Sequence, residues 1–390
     1  MLNSQYDVAV IGAGVFGVWT AYLLRRAGAD VILLDAYGPG NSRASSGGES
    51  RIMRMGYGPD ETYTRSAMRS LNLWREFFAR VETPGLPAAQ KLFRQTGVLW
   101  LARESDVYCE ATSEVLTRLG VEVERLESDE LRSRYPHLNF AEIAWGFLEP
   151  ESGALMARRA VQAVATQAEA EGATVQLDKI EPILEEKRLD YISTAHGERI
   201  SANKFVFACG PWLPKLFPVL LGKRIYVTRQ EVFFFGVPAG DNRFEPEVTP
   251  IWIDFNDLAY AIPNLENRGF KIAIDAHGPE FDPDSGERVV TVEGSIAARS
   301  YLRRRVPGLA TAPIVESRVC QYENTSNGDF LIDRHPDLEN VWLVGGGSGH
   351  GFKHGPAIGE YVVSLLSGGG SAEPRFAFGT KQTLQHRQVY

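Results

Sequence analysis

The chain has 390 residues, 44% hydrophobic and 23% charged, an ordinary globular composition at a length where a single core gives way to two domains. Its formal net charge of −8 argues against a nucleic-acid or anionic-membrane surface, and no stretch approaches the about 18 apolar residues of a spanning helix. No basic-then-apolar leader is visible, and Cys109, Cys209 and Cys320 lack any paired spacing, so a cytoplasmic protein without a disulfide framework or zinc site is expected.

Asp7 to Ala13 read as a short apolar strand running into Gly12-Ala13-Gly14-Val15-Phe16-Gly17, a G-x-G-x-x-G turn. Val15 to Arg26 is helical in pattern and stopped by Gly28; a second strand, Val31 to Leu34, ends on Asp35. In such a unit Gly12 makes the tight turn, Gly14 admits a pyrophosphate, and Gly17 lets helix and strand pack closely. The helix start at Val15 and Phe16 offers unpaired N–H groups to phosphates, and Asp35 is placed to accept from an adenosine ribose. Strand, turn, helix, strand and acid in this order point to a dinucleotide. They do not choose between FAD and NAD.

A polar, small-residue loop follows from Gly38 to Arg54, too polar for core and a functional candidate through Ser45, Ser50 and Arg51. Glu61 to Arg80 is helical, Val98 to Ala102 a strand, Ser105 to Leu119 a helix, and Gly146 to Gly153 a turn-rich crossing. Ala157 to Glu171 forms a helix capped by Gly172, Thr174 to Leu177 a strand, and Lys204 to Ala208 a buried strand ending in Cys209-Gly210-Pro211-Trp212. From Ile225 to Ile274 alternation takes over, in Tyr226 to Phe235, Leu258 to Ile262 and Phe270 to Ile274, as in an antiparallel β region. Ile296 to Val306 is helical, Val341 to Val344 a strand, Gly345 to Gly355 glycine-rich, and Pro356 to Leu366 a helix.

The fold class is therefore α/β: a discontinuous Rossmann-like dinucleotide domain with an inserted, antiparallel β-rich substrate domain. The expected boundaries are 1–88, 150–218 and 320–390 for the first, 89–149 and 219–319 for the second.

Three segments together resemble the amine-oxidising flavoproteins of the D-amino-acid oxidase superfamily, in particular the monomeric sarcosine oxidase and N-methyltryptophan oxidase group. They are the fingerprint with Ser50-Arg51-Ile52-Met53-Arg54; Cys320-Gln321-Tyr322 leading to Asp329-Phe330-Leu331-Ile332-Asp333; and Ser348-Gly349-His350-Gly351-Phe352-Lys353. The resemblance covers nearly the full length and is most specific in the last segment. It implies FAD, with the flavin ring where the two domains meet.

The same resemblance implies roles for individual residues. Gly347, Gly349, His350, Gly351, Phe352 and Lys353 would sit at the flavin, with backbone N–H groups and the helix beginning near Pro356 facing the ring's anionic edge. Arg54 and Lys353 match positions that hold the substrate carboxylate, and Arg51 one beside the ring. Lys271 matches a lysine that helps reduce oxygen, Tyr260 an active-site tyrosine, and Cys320 the cysteine that bonds the flavin covalently. Without the resemblance, each has a plainer reading. Arg51 and Arg54 would share an exposed helical face, Lys271 would face solvent from a strand, Tyr260 would be a sheet aromatic, and Cys320 a small buried hydrophobe. Cys109 and Cys209 read as structural, and His350 and His354, at i and i+4, have no third ligand near them for a metal.

Two departures stand out. Several relatives carry paired histidines where this chain has Ser46 and Gly47, and Asp275 lies where sarcosine oxidase-like enzymes tend to have histidine and fructosyl amine oxidases glutamate. An acid at Asp275 favours a cationic amine or a polyol. The expected activity is a monomeric oxidase of secondary amino acids that uses O2 and releases hydrogen peroxide. The alternatives are a fructosyl amino acid oxidase, a dehydrogenase passing electrons to a carrier, an NAD-dependent reductase, and a non-catalytic flavin-binding module.

Overall fold

The protein is described from a computed structural model covering residues 5–183 and 187–383, so the outer ends of the flanking domain ranges, 1–4 and 384–390, lie outside the described residues. Its first sheet has the spatial order Leu331–Arg334, Val341–Gly345, Arg199–Phe207, Gln5–Ile11, Val31–Asp35, Thr174–Leu177, with Tyr191–Ser193 beside Arg199–Phe207. The pairs around Gln5–Ile11 are parallel, and Leu331–Arg334 is an antiparallel edge. Val31–Asp35 and Val341–Gly345 read as nearly unbroken apolar runs because both faces are buried. Val8, Val10, Val31 and Leu33 join the core formed with the helices Val15–Arg26, Ala157–Ala170 and Gly355–Leu366. Ala9, Ile11, Ile32 and Leu34 point the other way, toward Leu213, Phe217 and Ile180.

The second sheet has eight strands in the order Ile314–Thr325, Ile225–Phe235, Phe270–Ile274, Ala259–Ile262, Ile251–Asp254, Val98–Ala102, Trp145–Glu149, Glu124–Glu127. Its pairs are antiparallel except Ile251–Asp254 with Val98–Ala102, where two distant segments meet. Strand alternation divides its faces. Phe233, Phe235, Trp252, Phe270 and Ile272 pack against Ala298, Tyr301 and Leu302 of the Val292–Arg305 helix. Phe234, Tyr260, Lys271 and Ala273 turn to the opposite face. Ile314–Thr325 pairs with Ile225–Phe235 from Thr325↔Ile225 to Ile314↔Phe235, with one irregularity at Phe234/Phe235. It runs through the expected 319/320 boundary without a break.

Two segments differ from expectation. The Gly38–Arg54 stretch is not all loop: it contains a short turn of helix, Ser45–Gly47, and a strand, Arg51–Met53, and it buries Ser46, Ser50 and Arg54. The Gly146–Gly153 crossing is mostly strand, Trp145–Glu149 and Gly153–Leu155. Its glycines mark close backbone approach rather than turns. A β-carbon on Gly146 would lie 2.6 Å from the Trp100 carbonyl oxygen, and one on Gly153 2.0 Å from that of Arg94. Gly153–Leu155 joins Arg51–Met53 and Phe93–Arg94 in a small third sheet. No helix among the described residues is long and apolar enough to cross a membrane.

Candidate active site

A cleft of about 1200 Å³ opens where Gln5–Ile11 runs into the glycine turn. Gly12 has φ +101°, and a β-carbon there would lie 2.4 Å from the Ala208 carbonyl oxygen, so only glycine fits. Gly17 is equally constrained, its β-carbon position 1.7 Å from the Gly12 carbonyl oxygen, and it serves helix packing without lining the cleft. Gly14 is the helix N-cap and supplies no side-chain cap; the Val15 N–H donates to Ser46 Oγ at 3.0 Å. Asp35 braces this turn as well as facing the cleft. Its Oδ2 accepts from Ala13 N at 2.8 Å, and its Oδ1 from Tyr37 N at 2.8 Å and Asn41 Nδ2 at 3.3 Å. A carboxylate has about four acceptor positions, which leaves room for a ribose hydroxyl. Burial raises its pKa. Bare glycine backbone and a helix start facing the cleft fit a dinucleotide, with Val15, Phe16, Ser45, Gly210, Gly347 and Gly351 completing the walls.

A second cavity of about 1170 Å³ adjoins the cleft, and the two share Arg51, Cys320, Tyr322, Gly349 and Phe352 as a common wall. Alternation along Ile314–Thr325 builds this wall: Cys320 and Tyr322 face both spaces, whereas Gln321 and Glu323 face the cleft alone. Arg51 donates through Nη2 to the Ser45 carbonyl at 2.7 Å and lies 3.4 Å from Cys320 Sγ.

The second cavity gathers buried cations. Lys271 is 2% exposed, its Nζ donating to the Ser50 carbonyl at 3.2 Å, with the Phe234 and Tyr260 rings below 6 Å away. Burial and the neighbouring Arg51 push its pKa down to about 7. Alternation aims it inward, so the solvent-facing reading of this strand lysine is overturned. Arg51 and Arg54 are not on a shared helical face either: Arg51 belongs to a strand and Arg54 follows it, stacked over Tyr57 at 4.4 Å and Trp100 at 5.0 Å. Lys353 donates to Tyr57 Oη at 2.6 Å and to the His350 carbonyl at 2.9 Å; burial, then Arg54, depress its pKa. Asp275 faces these cations, and Tyr322 Oη donates to its Oδ1 at 2.5 Å. Burial raises Asp275 to about 6 against the lowering effect of that hydrogen bond.

Nearly all the residues singled out in the sequence border one of these two spaces. Ser50 borders neither and holds Lys271 from behind. His350, expected at the cofactor, lines the second cavity instead, stacked on Phe330 with ring centroids 4.9 Å apart; it bonds Tyr57 Oη and the Gly328 carbonyl. His354 bonds Tyr57 Oη and Ser66 Oγ. Sequence reasoning missed Tyr57, Tyr322, Glu323 and Glu149. Glu149, fully buried, accepts from Met55 N, Gly56 N, Trp100 Nε1 and Ser152 Oγ, which fixes the backbone just after Arg54. Tyr322 and Glu323 could have been found by continuing the alternation from Cys320; Tyr57 carried no signal.

Residues 7–365 match the family described as DAO, FAD dependent oxidoreductase. A monomeric sarcosine oxidase of Bacillus sp. (strain B-0618) is 31% identical over 378 residues, covering 95% of this chain and 94% of its own. An N-methyl-L-tryptophan oxidase of Yersinia pestis is 27% identical, covering 93% and 95%. Among solved structures, L-proline dehydrogenase from P. horikoshii superposes with a TM-score of 0.82 at 22% identity, covering 97% of this chain and 98% of its own, a likeness of fold. The chain belongs to the DAO family of FAD dependent oxidoreductases.

Proposed function

We propose that the chain is an oxidase of secondary amino acids of the N-methyl type. The observation that carries this reading is the convergence of Arg54, Lys353, Lys271 and Arg51 on a cavity that shares a wall with the dinucleotide cleft. Arg54 and Lys353 bind the substrate carboxylate, whose charge restores the ammonium form that burial disfavours at Lys353. Asp275, with Tyr322 fixing its orientation, faces the substrate nitrogen and takes its proton, leaving the neutral amine that can be oxidised. FAD, when bound, supplies a two-electron acceptor for the hydride lost from the carbon beside nitrogen, and O2 finally takes both electrons and two protons to become hydrogen peroxide. Lys271 holds a positive charge where oxygen becomes anionic. Water then hydrolyses the released imine.

Cys320 is read as the covalent anchor of the flavin, because it stands on the shared wall with a fixed cation, Arg51, beside its sulfur, as a nucleophilic thiol requires. We read the enzyme as a monomer of the cytoplasm, a compartment in which Cys109 and Cys209 stay reduced thiols.

The test is anaerobic flavin bleaching with sarcosine, N-methyl amino acids, proline and fructosyl-glycine. Fast bleaching by the N-methyl compounds is expected, and bleaching by none of the panel overturns the reading. Asp275 supports one rival, a glycated amino acid, whose polyol could donate to this carboxylate; fructosyl-glycine as the only fast substrate would establish it.

A further inference from the structure

The family's cofactor accounts for most groups in the cleft, but not for Glu323. This side chain is 8% exposed and lines the cleft alone, not the substrate cavity. Its Oε1 accepts from Gly347 N at 3.3 Å. Its Oε2 is buried with no hydrogen-bond partner among the described residues. Three glycines leave bare backbone around it: β-carbons on Gly345 and Gly210 would stand 3.1 Å and 3.8 Å from Oε2, and one on Gly347 3.5 Å from Oε1. An unpaired buried carboxyl oxygen costs free energy unless a ligand satisfies it.

The charged surroundings decide which protonation state suits the ligand. The cleft also holds Asp35, Asp178, Lys179 and Arg51, with Cys209 packed behind the glycine turn and Tyr322 and Cys320 on the same strand as Glu323. Burial pushes Glu323 up, to about 7, against the lowering effect of the Gly347 and Gly346 backbone N–H groups. FAD brings a diphosphate and a polyhydroxy chain into this cleft. An ionised glutamate would repel the first, whereas a neutral carboxyl can donate to oxygens of either.

We propose that Glu323 is a cofactor-positioning residue that engages FAD as a neutral acid, its Oε2–H donating to an oxygen of the ribityl–diphosphate stretch, so that binding FAD takes up a proton. This rests on the FAD assignment and not on the amine substrate, so failure of either reading leaves the other intact. Proton balance is simple: at pH 8 the empty cleft holds the carboxylate, the solvent supplies one proton, and the complex retains it.

The experiment uses full-length apoprotein from riboflavin-limited cells, with Cys320→Ser in every chain compared so that no thioether forms during the titration, titrated with FAD by calorimetry in buffers of different ionisation enthalpy. Lys271 and Asp275 also titrate nearby, so the quantity read is the difference between the chain unsubstituted at Glu323 and Glu323→Gln. Near one proton more is expected for the unsubstituted chain at pH 8 and near none at pH 6. Its dissociation constant should rise about tenfold per pH unit above 7 while that of E323Q, whose amide can still donate, stays flat and within about threefold of the pH 6 value. The same titration with ADP and with riboflavin divides the sources: uptake with ADP assigns the acceptor to the diphosphate, uptake with riboflavin to the ribityl chain. Equal proton uptake by the two proteins, or a loss of more than tenfold in E323Q affinity at pH 6, overturns the proposal. Should E323Q fail to fold, the infrared band of a protonated carboxyl, read on FAD binding to the unsubstituted chain at pH 8, decides instead; no such band overturns it.

Discussion

Tyr322 and Asp275 meet hydroxyl to carboxylate at 2.5 Å, reaching over the Ile225–Phe235 strand that separates Ile314–Thr325, which carries Tyr322, from Phe270–Ile274, which Asp275 follows. The bond holds an acid in a cavity otherwise dominated by cations, and it fixes which oxygen stays available to a substrate. With Asp275 raised to about 6 by burial, the carboxylate is present above that pH and lost below it. For an amine substrate kcat/KM should climb through pH 6 as the base forms. Asp275→Asn removes this inflection and lowers the plateau by about tenfold to 100-fold. An unchanged profile in anaerobic stopped-flow reduction rules out the role.

Lys271 gives the opposite sign. Its pKa, depressed to about 7, leaves a cation below that pH and a neutral amine above it. Reoxidation by O2 should therefore slow as pH rises past 7. Lys271→Met should slow that half-reaction by about 100-fold, the scale of losing one electrostatic stabiliser, and leave reduction within a few-fold. Stopped-flow traces of each half-reaction separate the two, and equal slowing of both contradicts the assignment.

Arg54 distinguishes carboxylate recognition from bulk charge. Arg54→Ala should lose about 1.5–3 kcal/mol with an N-methyl amino acid, or roughly tenfold to 100-fold in kcat/KM, but little with the corresponding amine lacking the carboxylate. Arg54→Lys should recover only part of the loss, because the planar fork is gone. Similar losses for both substrates would place Arg54 in the scaffold instead.

The proposed covalent anchor has a one-tube test. Acid precipitation should leave the yellow colour in the pellet for the unsubstituted chain and in the supernatant for Cys320→Ser. Colour in the supernatant for both removes the linkage.

Much of this site was legible before any coordinates. The glycine turn and Asp35 carry local constraints, so their places followed from spacing, whereas the Ser348–Lys353 segment was placed by its resemblance to the family. Lys271 was legible in phase but not in burial: alternation set it opposite Phe270 and Ile272, and only the structure shows both faces covered, one by the Val292–Arg305 helix and the other by the segment that carries Ser50. The Gly146–Gly153 stretch, read as a turn-rich crossing, holds strand on either side of its turn, because a missing side chain serves a turn and a tight strand crossing equally well. Glu149 was invisible since three of its four donors, Met55 N, Gly56 N and Trp100 Nε1, come from segments distant from it in the chain. Glu149→Ala strands those donors and should cost roughly 3 kcal/mol or more, read as a lower midpoint in thermal denaturation.

The ladder between Ile314–Thr325 and Ile225–Phe235 has an evolutionary corollary. A one-residue deletion anywhere between Ile314 and Cys320 would turn Cys320, Tyr322 and Glu323 over together, since neighbours on a strand point to opposite sides. The proposed flavin anchor, the hydroxyl that meets Asp275 and the proposed cofactor-side acid thus share one reading frame. Point substitutions can retune any of them separately, but changes of length in this segment should be purged, and insertional scanning ought to find it the least tolerant strand of the sheet.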